Sequence, residues 1–366
     1  MRWAILGTGG VSRRFVLGLR ALPGHQALVA ASRTPENARR FAQSLGCEAA
    51  ESYEVAIGRA EVDAVYIATP PASHEALALT AIAAGKPCLV EKPIAANAAA
   101  AARIATAARG AGVFCMEALW TRFLPLMDRI RTLLAEERLG TLHSFDGAFH
   151  GAALPEGRSS LFDPGRGGGA LLHRGVYPLS LARHLLGPVV ELTAGGRMGA
   201  TGVDEEAALL LRHASGALST MRASIRTDGE SAFVLNGTGG SLLVDAPIWR
   251  PFSARLVACH PVADSMAGGG KLEALRESGL VHGLKQRAGP ALSLFRQLRG
   301  KGPQRITARF EGNGYQYQAA ALAAAVREGQ GESSIMPLDE SIEIMALVDR
   351  ARAVIANHEP SHGSGA

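Results

Sequence analysis

Residues 3–12 read Trp3-Ala4-Ile5-Leu6-Gly7-Thr8-Gly9-Gly10-Val11-Ser12. A short apolar run, Trp3–Gly7, meets a glycine-rich turn, and a helical stretch, Val11–Leu19, follows. The turn is G-x-G-x-x-S, with Ser12 where the dinucleotide-binding fingerprint prefers Gly or Ala. Gly-rich loops are common, so the spacing alone says little. Its position between a strand and a helix gives it meaning. Gly7 permits the tight turn, Gly9 lets the backbone approach a pyrophosphate, and the helix N-terminus presents N–H groups to that charge. Gly7, Thr8, Gly9, Gly10 and Val11 are therefore candidate cofactor-binding residues.

The same alternation continues to residue 117. Apolar runs at Ala27–Ser32, Ala64–Ala68, Pro87–Glu91 and Val113–Met116 are separated by helical stretches at Pro35–Leu45, Ser73–Ala84 and Asn97–Arg109. Strands alternating with helices through short loops predict a parallel sheet with helices on both faces. The runs lack polar alternation, as expected of strands covered on both sides. Ser73 and Asn97 are candidate N-caps. Beyond Trp120 the texture changes. A helix is predicted over Pro125–Glu137 and strands over Leu142–Phe149, Val189–Arg197, Ala207–His213, Gly216–Ile225, Ser231–Leu235 and Ser241–Val244. Asn236-Gly237-Thr238-Gly239-Gly240 is a hairpin turn signal. Helices at Gln316–Arg327 and Pro337–Ile355 are followed by a tail, His358–Ala366, expected to fray. The predicted fold class is α/β plus α+β. A doubly wound Rossmann domain spans 1–118, and a mostly antiparallel substrate-binding and dimerisation domain spans 119–366.

The chain's 366 residues suit two domains at roughly 100–200 residues each. With 47% hydrophobic and 19% charged residues, a mostly disordered chain is excluded. No apolar run approaches the roughly 18 residues of a membrane-spanning helix, and Met1–Gly10 lacks the pattern of a signal peptide. Cys47, Cys88, Cys115 and Cys259 lie far apart without metal-ligand spacing, so reduced thiols in a cytoplasmic, metal-free protein are expected. The net charge of +5 is local. Residues 271–305 hold eight Lys or Arg against two acids, which leaves the remainder near −1. The insertion 261–305 reads as a solvated arm or subunit contact. Nucleic-acid binding is not expected, because Phe295 is the segment's only aromatic.

The end of the second strand bears on the choice of cofactor. An NAD site places an Asp or Glu there for the ribose 2′-hydroxyl. This chain has Ser32-Arg33-Thr34, with no acid to repel a 2′-phosphate and with Arg33 able to pair with one. NADP is expected, and Ser32 and Arg33 join the cofactor set. Arg39 is a weaker helper from the next helix. Two further loops lie at carboxyl ends of strands. Ala68-Thr69-Pro70-Pro71-Ala72-Ser73-His74 contributes Thr69, Pro70 and His74, and Glu91-Lys92-Pro93 places an ammonium in the cleft.

Together, in this order, these motifs resemble the Gfo/Idh/MocA oxidoreductase family. Met116-Glu117-Ala118-Leu119-Trp120-Thr121-Arg122-Phe123 resembles its branch of dimeric dihydrodiol dehydrogenases and NADP-dependent D-xylose dehydrogenases. Thr201-Gly202-Val203-Asp204-Glu205, Asn236-Gly237-Thr238-Gly239-Gly240 and Glu311-Gly312-Asn313-Gly314-Tyr315 fit the same branch. The resemblance implies that Lys92 is catalytic. In Gly168-Gly169-Ala170-Leu171-Leu172-His173-Arg174-Gly175-Val176-Tyr177 it also implies a catalytic Tyr177. His173 departs from the pattern, since relatives usually carry Asp there. The resemblance also implies that His74 falls near the nicotinamide end, and Glu91 joins the cofactor set. Trp120, Phe149, Arg197 and Trp249, with His173 and Tyr177, line the pocket for a sugar, polyol or diol. A homodimer joined through an exposed sheet face is also implied.

Oxidising an alcohol by hydride transfer requires a proton acceptor and a group that steadies the developing oxyanion. A phenol with its ordinary pKa near 10 is too weak a base at neutrality. The Lys92 ammonium is expected to favour phenolate at Tyr177. His173, four residues earlier, shares Tyr177's face if the segment is helical, where it would relay a proton or bond a substrate hydroxyl. The competing reading is a dinucleotide-binding sensor without turnover, for which His173 is the only supporting feature.

Overall fold

The computed structural model describes residues 1–154, 160–259 and 302–358. The first sheet contains β1 (Arg2–Leu6), β2 (Gln26–Ala31), β3 (Glu48–Ala49), β4 (Ala64–Ile67), β5 (Cys88–Glu91) and β6 (Cys115–Ala118). All its pairs are parallel and the order is β3-β2-β1-β4-β5-β6. The strand order reverses between β1 and β4, and that switch point opens a crevice at the carboxyl ends of the strands. The core strands β1, β4, β5 and β6 are buried almost throughout, which explains their unbroken apolar runs.

The helices are α1 (Gly10–Leu19), α2 (Pro35–Leu45), α3 (Tyr53–Ile57), α4 (His74–Ala83) and α5 (Ala98–Ala111). The two-residue β3 and five-residue α3 were not foreseen, being too short for a periodic signal. Asn97 caps α5 by accepting from Ala100 N at 2.9 Å. Ser73 makes no cap bond. Its hydroxyl donates within its own loop, to Thr69 Oγ1 and Pro70 O, both at 2.8 Å.

The second sheet has eight strands: β7 (Leu142–His150), β8 (Val189–Met198), β9 (Asp204–His213), β10 (Leu218–Ser224), β11 (Phe233–Gly237), β12 (Gly240–Val244), β13 (Ser253–Ala258) and β14 (Gln304–Thr307). Its order is β14-β13-β12-β11-β7-β10-β9-β8, and every pair except β7 with β10 is antiparallel. The predicted hairpin is present, with Gly237 paired to Gly240 across Thr238-Gly239. β13 and β14 were missed. β14 also takes Gln304 and Arg305 out of the expected arm and pairs them with Leu256 and Arg255. The rest of that arm's basic residues, Lys271 to Lys301, lie outside the described residues, as does the tail from Glu359.

One face of this sheet is covered by α7 (Val176–Leu186) and α9 (Leu338–His358), and α9 also packs on α5. The remaining helices are α6 (Pro125–Ala135) and α8 (Gln316–Arg327), the latter against α1. Along β9 the alternation is clean. Ala207, Leu209 and Leu211 point inward, while Ala208, Leu210 and Arg212 face out. The outward face is open and carries a shallow depression of about 750 Å³ lined by residues including Asp146, Leu210, Met221, Val234 and Arg255. No described helix is long and apolar enough to cross a membrane.

Candidate active site

Two adjoining cavities occupy the crevice. The first, about 620 Å³, is lined by Gly7, Thr8, Gly9, Gly10 and Val11, by Ser32, Arg33 and Thr34, by Thr69 and Pro70, and by Glu91, Lys92 and His173. Gly7 is required sterically. Its φ is +102°, and a Cβ there would stand 2.5 Å from Ala68 O. Gly9 and Gly10 face open space, with nothing within 4 Å of a Cβ at either position. A glycine cradle open at the N-terminus of α1 fits a dinucleotide pyrophosphate. At the far end Thr8 Oγ1 donates to Ser32 Oγ at 3.4 Å, and Arg33 N donates to the Tyr53 hydroxyl at 3.0 Å. Asn37 and Tyr53 also line this end. No periodicity or motif marks them, since they come from α2 and the short α3. Arg39 does not line the cavity.

The second cavity, about 480 Å³, shares Val11, Glu91, Lys92 and His173 with the first. It adds Trp120, Phe149, Tyr177 and Trp249 from the expected set, and Arg14, Leu161, Arg174, Arg250, Asn313 and Tyr315, which were not expected. Asn313 and Tyr315 belong to the Glu311–Tyr315 motif, a signal that could have found them. The three arginines have no local sequence signal.

The walls are aromatic. Trp249 stacks on Phe149 at 4.5 Å between centroids, Phe149 meets Tyr177 edge-on at 5.2 Å, and Trp120 stacks on Tyr315 at 4.4 Å. Such pairs hold rigid apolar walls.

Lys92 and His173 approach across the crevice. Lys92 Nζ donates to His173 O at 3.0 Å and lies 5.3 Å from the Tyr177 ring centroid. The contact depends on the Gly168–Leu171 turn. Gly169 has φ +122°, and a Cβ there would lie 2.3 Å from Asp204 Oδ1. Asp204 Oδ2 accepts from Leu171 N at 2.6 Å, and its Oδ1 pairs with Arg352 at 3.0 Å. Leu171–Gly175 then form a π-helical turn running into α7, so His173 and Tyr177 sit on one continuous helical segment.

Burial dominates the electrostatics. It lowers Lys92 to about 8, with the Arg174 charge adding to the fall and the Glu91 and Glu117 charges opposing it. Burial also raises Glu91 to about 7, although its Oε1 accepts from the Tyr66 hydroxyl at 2.5 Å. Tyr177 is pushed well above the phenol range, first by burial and then by Tyr315 and Glu91. The expected Lys92-driven phenolate is therefore absent. The Tyr177 oxygen instead accepts from Trp120 Nε1 at 3.3 Å, and the phenol keeps its proton at neutrality. His173 falls to about 3, chiefly by burial and then by the Lys92 charge, so its ring is neutral. Its Nε2 lies 3.1 Å from Gly167 O. A carbonyl only accepts, so Nε2 carries the hydrogen and Nδ1 is a bare acceptor. With its ring neutral and Nε2–H held by Gly167 O, His173 is set to accept a hydrogen bond at Nδ1, the second of the two roles expected of it.

Two expected positions lie elsewhere. His74 is buried and lines neither cavity. Its Nδ1 and Nε2 contact Pro93 O and Thr69 O at 2.9 and 2.8 Å, so it braces the two cofactor-side loops from behind. Arg197 is exposed on edge strand β8, beside His150, Glu206 and Thr227 in a separate depression. The sheet order places β8 three strands from β7, which carries Phe149, and this removes Arg197 from the pocket.

A Rossmann sheet with a glycine cradle, joined to a cleft holding a buried lysine and a phenol, defines an NAD(P)-dependent oxidoreductase. Family models agree with the geometry. The "Oxidoreductase family, NAD-binding Rossmann fold" model matches residues 1–119, and the "GFO/IDH/MocA C-terminal domain" model matches 127–243. The chain belongs to the Gfo/Idh/MocA family. It is 34% identical over 256 residues to trans-1,2-dihydrobenzene-1,2-diol dehydrogenase of Sus scrofa, covering 69% of this chain and 76% of that relative. It is 28% identical to the Homo sapiens enzyme of that name, covering 97% of each. The fold is shared with a 3-ketoreductase from Actinomadura kijaniata in complex with NADP and TDP-benzene, at TM-score 0.77 and 23% identity over 97% of this chain and 98% of that one. It is also shared with a levoglucosan dehydrogenase in complex with NADH and levoglucosan, at TM-score 0.80 and 19% identity over 98% of each.

Proposed function

We propose that the protein is an NADP-dependent dehydrogenase or reductase that interconverts a secondary alcohol and its carbonyl on a sugar or cyclic diol. The observation that carries the reading is the meeting of Lys92 with the His173–Tyr177 segment at the junction of the two cavities. Relatives named dihydrodiol dehydrogenases support the substrate class. Support for NADP comes from the lining around Ser32, Arg33 and Thr34, which contains no carboxylate at that end.

When bound, the nicotinamide supplies or accepts the hydride. The chain's residues handle the rest. The Lys92 ammonium steadies the substrate oxygen as charge develops on it. Tyr177, its proton held by burial, donates to that oxygen in carbonyl reduction and is left as phenolate until solvent returns a proton. Oxidation runs the same steps backward, the phenol first releasing its proton to solvent and then taking the one from the alcohol. The neutral His173 ring accepts a substrate hydroxyl at Nδ1. Trp249, Phe149 and Trp120 lie against the ring faces of the substrate and exclude water. In this reading residues 1–118 form the cofactor unit and 119–366 the substrate unit. A second copy covers the open face of the eight-stranded sheet, where Leu210, Val190 and Leu218 are exposed.

The test is absorbance of reduced nicotinamide during incubation with NADP and a panel of aldoses and diols. Sustained growth of the signal with at least one compound is expected. Tight cofactor binding with no turnover on any of them would favour a sensor instead.

A further inference from the structure

The second cavity carries more positive charge than hydride transfer requires. Its charged lining is Arg14, Lys92, Arg174 and Arg250 against the single carboxylate of Glu91. That carboxylate is already engaged, accepting from the Tyr66 hydroxyl and from Lys92 N. Elsewhere the deeply placed arginines are compensated. Arg122 pairs with Glu340 at 2.6 Å and Arg352 with Asp204 at 3.0 Å. Among the described residues, no carboxylate lies within ion-pair distance of Arg14, Arg174 or Arg250.

Arg174 is the most telling of the three. Nη2 donates to Gly151 O at 3.2 Å, and Cζ stands 4.6 Å from the Phe149 ring centroid. Its Nε is buried with no hydrogen-bond partner. Asp228 is near enough to raise its pKa but makes no ion pair with it, and Asp228 Oδ1 accepts from Ala152 N at 2.7 Å. Burial pulls the guanidinium the other way, lowering its pKa. A half-desolvated cation of this kind is costly without a counter-charge. Arg14 is exposed at the rim beside Tyr315, and Arg250 is also exposed there. None of the three lines the cavity beside Gly7–Val11, so the cofactor pyrophosphate does not account for them.

We propose that the substrate bears an oxyanion, a carboxylate or a phosphate, gripped by Arg174 inside the cavity and by Arg14 and Arg250 at its mouth. The inference rests on the reading of this cavity as the substrate site. A guanidinium fork matches either group with paired hydrogen bonds. The aromatic walls then hold the sugar ring, and the anion sets which carbon faces Lys92 and Tyr177. The uncompensated charge also draws anionic substrates toward the cleft at low ionic strength.

The test is calorimetric titration of the full chain saturated with NADPH, and in parallel with NADH, using D-glucose, D-glucuronate and D-glucose 6-phosphate. At least one anion is expected to bind on the order of tenfold or more tighter than glucose, and to weaken as salt rises from about 20 to 300 mM. Glucuronate and glucose 6-phosphate separate the carboxylate source from the phosphate source. Arg174→Gln, and separately the exposed Arg250→Gln, should each erode the ratio of anion to glucose affinity. Glucose bound as tightly as both anions, or no binding of either anion, overturns the proposal. Nicotinamide absorbance with neutral sugars and diols is recorded separately. Turnover there without any anion preference sinks only this inference and leaves the oxidoreductase reading standing.

Discussion

Lys92 Nζ and the backbone oxygen of His173 are 3.0 Å apart although the residues are 81 positions apart in sequence. This bond ties the end of β5 to the turn that precedes α7 and puts the ammonium beside the Tyr177 ring. It also makes the lysine's ionisation measurable. Burial brings Lys92 to about 8. Its cationic form predominates below that value, so kcat/KM for carbonyl reduction should hold on the acid side and fall as pH passes through about 8. The Arg174 charge contributes to the lowering, so Arg174→Ala should move the falling limb to higher pH. A pH profile measured on both proteins checks this. Lys92→Ala should abolish turnover while the cofactor still binds, and a near-wild-type rate would refute its role.

Tyr177→Phe removes the proton donor and keeps the ring that Phe149 packs against. A rate loss on the order of 10²–10⁴-fold is expected, the usual worth of a positioned acid or base. Single-turnover measurement reads it directly, and a loss under about threefold would clear the phenol of this duty.

Arg33 lines the adenosine end of the first cavity with Ser32 and Thr34. A hydrogen bond to a charged group is worth roughly 1.5–3 kcal/mol. Arg33→Ala should therefore weaken NADP by about tenfold to a hundredfold while changing NAD little. Titration with both cofactors decides, and equal losses would overturn the assignment to NADP.

The buried Arg122 side chain bonds Glu340 at 2.6 Å, Ser180 O at 2.7 Å and Ile335 O at 3.0 Å, joining the chain after β6 to α7 and α9. Glu340→Gln leaves that guanidinium without its nearest counter-charge. Removing one partner of a buried pair costs about 3–5 kcal/mol. Denaturant unfolding should show a loss in that range with the cofactor absent, and a change below about 1 kcal/mol would mean that Glu117 or solvent compensates.

Much of the first unit was legible because buried parallel strands and amphipathic helices leave strong periodic signals. The helix Pro35–Leu45 was predicted at its observed bounds, and Asn97 caps α5 as expected. The gaps have local causes. β3 and α3 are too short to have a period, and β14 lies among basic residues that read as an arm. In the site, glycines and the Glu91-Lys92-Pro93 loop announced themselves by spacing. The positions of His74 and Arg197 did not, since a buried strut and an exposed edge residue are told apart only by their surroundings.

By itself the sequence determined the alternation of strand and helix, the glycine turn at α1 and the absence of an acid after β2. These are properties of contiguous residues, set by backbone sterics and by which side chains avoid water. Only the tertiary structure decided what lies next to what across the crevice. It brought Lys92 to the His173 carbonyl, left the Tyr177 phenol protonated by burial, and gathered Arg14, Arg174 and Arg250 around one cavity. Desolvation and charge proximity depend on distances between segments far apart in the chain, and no local pattern encodes them.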